Sequence, residues 1–120
     1  MFGDGRYLRD YVYIDDVVRA FAAAGMAPGM IGPFNVGSGR GVTVGEAFQL
    51  VADAANRVTG NAVRVHETAW PADSDPIERR SFTAAINRIT SACGWMPAVP
   101  LAEGVDRLIS HLAQSTPPGS

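Results

Sequence analysis

The tract Tyr11-Val12-Tyr13-Ile14 is the strongest strand signal in this sequence, and only ten residues stand before it. Aromatic and β-branched residues favour extended backbone, yet a strand is stable only beside others. Its neighbours must come from later in the chain or from other polypeptide. Two more short runs read as strands, Pro33-Phe34-Asn35-Val36 and Ala62-Val63-Arg64-Val65-His66. Helical spacing falls between and after them. Val17, Val18, Ala20, Phe21 and Ala24 form one apolar face, with Asp15 or Asp16 as the cap and Gly25 as the stop. Thr43, with Glu46 three residues on, spells a capping box before Phe48, Val51, Ala52, Ala55 and Val58, and Gly60 closes that helix. A helix over Phe82 to Cys93, stopped by Gly94, and a last one carrying Leu101, Val105, Leu108, Ile109 and Leu112 complete the set. The pattern is α/β, short strands alternating with about four helices. Three short strands are too few for a self-sufficient parallel sheet, whose two faces both need cover.

At 120 residues the chain is one domain at most. It is 47% hydrophobic, enough for a modest core, and its net charge of −2 argues against general affinity for nucleic acid or acidic membranes. Cys93 stands alone, so no internal disulfide forms and a reducing compartment fits. No apolar run approaches the ~18 residues of a membrane span, and the start is no signal peptide; the expectation is a cytoplasmic protein. All ten basic residues are arginines. That excludes, within this chain, a Schiff-base lysine, a P-loop lysine and a Tyr/Lys proton relay. His66, His111 and Cys93 show no metal-ligand spacing.

Chemistry concentrates elsewhere. Arg6 and Arg9 flank a Gly-Asp-Gly turn before the first strand. Arginine grips phosphate oxygens with paired N–H groups, so either could clamp a diphosphate, or simply pair with Asp4, Asp10, Asp15 or Asp16. Asn35 is a polar residue in an apolar strand and must find the backbone or a ligand. The Gly37-Ser38-Gly39-Arg40-Gly41 loop before a helix could cradle a phosphate, though its spacing suits a tight connection better. Arg79 and Arg80 make either a second anion clamp or a solvated pair.

The segments FGDGRYLRDYVYIDDVVRAF, GPFNVGSGRGVTVGEAF, WPADSDPIE and CGWMPAVPLAEGVDRLI together resemble the C-terminal part of extended short-chain dehydrogenases. These are the NAD-dependent nucleotide-sugar epimerases and dehydratases of the UDP-glucose 4-epimerase type. The resemblance implies a Rossmann-type fold of which this chain is the C-terminal fragment, with residues 1–114 a substrate-binding section and 115–120 a flexible tail. It implies substrate contacts by Arg9, the family's diphosphate arginine, and by Asn35. Tyr7 stands where the family has glutamine. The family's R-x-G-D aligns with Glu78-Arg79-Arg80-Ser81, leaving Arg79 and Arg80 as substitute cations. Its dinucleotide fingerprint, G-x-x-G-x-x-G, and its Y-x-x-x-K pair are missing. NAD is thus expected in the complete family enzyme and not on this chain alone, and no catalytic residue is assigned. The implied partners are a nucleotide-diphosphate sugar and either a missing N-terminal Rossmann half or a second copy. The rival expectation is a stand-alone, non-catalytic binding module or a remnant without ligand.

Overall fold

The computed structural model describes residues 1–115. Its elements run β1 (Leu8–Asp10), α1 (Ile14–Met26), β2 (Gly41–Thr43), α2 (Val44–Thr59), a 3₁₀ turn (Pro76–Arg79), α3 (Asn87–Cys93) and α4 (Leu101–Ser115). This is an α/β arrangement of four helices with one two-stranded sheet.

Helix signals carried by neighbouring residues are realised in α2 and at the end of α3 but not in α1. There Tyr13 is the N-cap without a side-chain bond, Asp15 and Asp16 lie inside the first turn, and the helix runs through Gly25 to Met26. Thr43 Oγ1 accepts from the Glu46 amide while the Glu46 carboxylate accepts from the Thr43 amide at 2.9 Å, so α2 starts at its capping box. It ends at Gly60, whose φ of 70° lies in the left-handed region that favours glycine. Gly94 ends α3 in the same way.

The strands differ from expectation. Residues 11–13 carry no ladder, and Ile14 already belongs to α1; the strand lies one step earlier, with Leu8, Arg9 and Asp10 paired antiparallel to Thr43, Val42 and Gly41. Neither Pro33–Val36 nor Ala62–His66 forms a strand; just beyond the latter, Thr68 makes an isolated bridge with Phe2. A strand is defined by its partner, and these runs meet none. The helix expected from Phe82 starts only at Asn87, because Phe82 donates its amide to the Leu8 carbonyl at 3.0 Å and Ala84 to Asp10 at 3.0 Å. Of the expected tail, only Ser115 is described, and it closes α4.

The apolar faces also divide. On α1, Ala20 packs with Ile89 and Trp95, whereas Val18 and Phe21 point outward, Phe21 being 75% exposed. On α2 the buried positions are the alanines Ala47, Ala52 and Ala54; Phe48, Val51 and Val58 remain open. The radius of gyration, 17.3 Å, exceeds the roughly 13–14 Å of a compact chain this long. The exposed area is 8211 Å², about 2,000 Å² more than a compact monomer of this mass presents. Small cores and uncovered helix faces leave much apolar surface exposed.

Candidate functional site

Alternation along β1 sends Arg9 and Asp10 to opposite sides. Arg9 reaches the segment after the 3₁₀ turn. Its Nη1 donates to the carbonyls of Arg80 and, at 3.0 Å, Leu8, and its Nη2 donates to the Glu78 carbonyl at 2.5 Å. A guanidinium carries five N–H groups in a planar fork. The three bonds above leave one N–H on Nη2 and the one on Nε, which together form the side edge suited to a bidentate grip on a phosphate or carboxylate.

The remaining predicted residues separate into two groups. Tyr7 and Arg79 meet at Trp70. Tyr7 approaches its ring edge-on at 6.5 Å, Phe2 stacks on it at 5.6 Å, and the Arg79 guanidinium lies 5.5 Å from the ring centroid while also donating to Ser74 Oγ. Arg80 follows on the same strap, exposed, its carbonyl held by Arg9. Asn35 is further along, exposed, and donates to the Ala85 carbonyl at 3.4 Å. Arg6 is engaged elsewhere: it pairs with Asp4 at 2.5 Å.

A residue not singled out as functional ties these groups together. The Asp10 carboxylate accepts from the Ser38 amide and hydroxyl, both at 2.6 Å, from the Gly39 amide at 2.9 Å and from the Ala84 amide. Burial alone would raise its carboxyl; these donors outweigh that and hold it below the ordinary carboxylate value. Gly37 must lack a side chain here, since a Cβ would fall 2.5 Å from that of Ala84. The signal available in the sequence was the facing of an acidic β1 residue and a glycine-serine loop rich in backbone N–H groups. Strand alternation alone does not reveal which loop comes across.

The same bonds decide the phosphate-cradle question. The loop amides at Ser38 and Gly39 already serve the Asp10 carboxylate, and the first amides of α2 are taken as well, Val44 by the Tyr7 carbonyl, Gly45 by the Gly5 carbonyl and Glu46 by Thr43 Oγ1. Lysine is absent. The loop and helix amides are therefore not free to cradle a phosphate, and no step through a dinucleotide is derived. Among the described residues no cluster of three His, Cys, Asp or Glu side chains could hold a metal. Two open clefts exist, of about 690 Å³ beside Tyr11, Arg40 and Gln49 and about 400 Å³ beside Ile14, Val105 and Leu108. Neither is lined by Arg9, Asn35 or Arg79. No helix is long and apolar enough to cross a membrane among the described residues.

Four helices around a two-stranded sheet, with arginine and asparagine facing one strap, are what a section of a larger α/β enzyme looks like. Residues 1–37 match the model of the NAD dependent epimerase/dehydratase family. The UDP-glucose 4-epimerase of Mycolicibacterium smegmatis is 36% identical over 109 residues, 91% of this chain and 32% of that protein. A UDP-glucose 4-epimerase from Thermotoga maritima, solved with UDP-glucose, superposes with a TM-score of 0.76 at 32% identity, covering 96% of this chain and 34% of that one. MoeE5, solved with UDP-glucuronic acid and NAD, superposes at 0.72 with 26% identity, covering 97% and 36%. The chain belongs to the NAD-dependent epimerase/dehydratase family of extended short-chain dehydrogenases, matching their Rossmann-type fold as a C-terminal section. It spans about a third of the length of the curated relatives it matches.

Proposed function

We propose that this chain is the nucleotide-sugar-gripping section of an NAD-dependent epimerase or dehydratase. The observation that carries this reading is Arg9: it aligns with the diphosphate arginine of the family motif, and its Nε–H and one Nη2 N–H make no hydrogen bond among the described residues. Arg79 and Arg80 lie on the segment that Arg9 holds, Asn35 bonds its Ala85 carbonyl and Tyr7 meets Arg79 at Trp70, which extends the polar surface around Arg9. Dinucleotide binding and proton transfer come from other polypeptide of the Rossmann half. The area excess of about 2,000 Å² is what an obligate interface covers, and the outward Ile14, Val18 and Phe21 of α1 give that half an apolar seat.

Calorimetric titration of the 120-residue chain with UDP and UDP-glucose tests the grip. Binding that falls at least tenfold in Arg9→Ala is expected; a folded chain that takes up neither ligand sinks the reading. The chain with NAD and UDP-glucose is expected to show no turnover. A second reading, a stand-alone module that pairs with its own copy, is favoured by the same exposed α1 face. Sedimentation at rising concentration separates them, since a defined dimer that resists competition by a Rossmann half supports the module.

A further inference from the structure

Residues 78–85 run beside β1 without forming a ladder, and they are laced to it one residue at a time. Arg9 holds the carbonyls of Glu78 and Arg80, Ser81 Oγ accepts from the Leu8 amide at 3.1 Å, Phe82 donates to the Leu8 carbonyl, and Ala84 donates to Asp10. Most of these bonds are at the surface, where water competes and each contributes little. The segment is therefore a strap of low local stability. It carries both substitute cations: Arg79, turned toward Trp70, and Arg80, which has no side-chain partner among the described residues.

From this arrangement we infer that Arg9 is also the positioning residue of the strap, so that anion binding and strap order are coupled through one guanidinium. The inference rests on the diphosphate reading of the site. One edge of the planar group grips the two strap carbonyls and the other remains for the phosphates. A ligand bound to the second edge fixes the plane and thereby the first, so the strap is held when the diphosphate is present and loosens when the guanidinium is lost. Lysine cannot replace it, because an ammonium is a point charge that attracts a phosphate but does not span two carbonyls and an anion at once.

Limited trypsin digestion reads the strap directly, since Arg79 and Arg80 are themselves cleavage sites, while Arg57 in α2 reports global unfolding. Saturating UDP is expected to slow cleavage after Arg79 and Arg80 at least threefold and leave Arg57 unchanged. Arg9→Lys is expected to speed strap cleavage about tenfold without ligand, with Arg57 unaffected, and to abolish protection by UDP. Calorimetry run alongside separates the two ideas. UDP that binds without slowing strap cleavage overturns the coupling and leaves the grip intact. UDP that does not bind overturns the coupling together with the grip. Unchanged strap cleavage in Arg9→Lys overturns the positioning role whatever UDP does. If Arg9→Lys fails to fold, Ser81→Ala, which frees the Leu8 amide, must raise strap cleavage and weaken protection, or the lacing account is wrong.

Discussion

Asp10 and Asp16 stand six residues apart and do similar work in unlike surroundings. Each carboxylate gathers backbone amides from distant chain, and each titrates below the ordinary value because those donors outweigh burial. Asp16 is fully buried. It accepts from the amides of Ala98 at 3.0 Å and Val99 at 2.9 Å and from Arg19, and its carbonyl takes the Trp95 indole N–H. Around it Ala20, Ile89 and Trp95 form the dry core. Asp10 is only partly covered and organises a loop and a strap on the open side, next to the surface residues of the candidate site. The difference teaches that one carboxylate hub serves to hold helices together and the other to place movable segments.

Removing the hubs should separate their roles most clearly. Asp16→Ala removes the buried acceptor shared by two part-buried amides and Arg19, and urea denaturation should show a loss of about 4 kcal/mol, enough to unfold a marginal chain. Ile89→Ala empties the same core and should cost about 3 kcal/mol in that assay. Asp10→Ala, on the wetter side, should cost about 2 kcal/mol while disturbing UDP uptake more than Asp16→Asn does; an equal effect on binding would erase the contrast. Acid sharpens the comparison. Both folded carboxyls lie below the ordinary aspartate value of 3.8, so their stabilisation is fully present above that pH and is lost as pH falls through the depressed folded values. Circular dichroism between pH 5 and 2 should show a shallower loss in Asp16→Asn than in the parent. Thr43→Ala removes one cap and should cost about 1 kcal/mol. Phe21→Asp should change the chain's own stability by less than about 0.5 kcal/mol while reducing its self-association, because that ring covers nothing within the chain.

What could be read from the residues follows a physical line. The capping box of Thr43 and Glu46, the stops at Gly60 and Gly94 and the Asp4–Arg6 pair involve groups at most four positions apart, so local sequence contains both partners. The strands at Tyr11, Phe34 and Val63 were misplaced because strand formation needs a partner whose presence no local pattern records. The face of α1 was read as one stripe, whereas Ala20 is buried and Phe21 exposed, since periodicity marks an apolar face but not whether anything lies against it. In the candidate site, Arg9 and Asn35 were found through family motifs. That Arg9 also holds carbonyls 69 and 71 residues away was not, because no sequence rule pairs a side chain with a distant carbonyl.

By itself, then, the sequence determined where α2 begins, where α2 and α3 end, and that no lysine of this chain can relay a proton. Only the tertiary structure decided which apolar faces are covered, which runs find a partner strand, and that Asp10 rather than a phosphate occupies the glycine loop. The reason is that capping, charge and side-chain chemistry act within a few residues, whereas burial and strand pairing are properties of what the rest of the chain brings alongside.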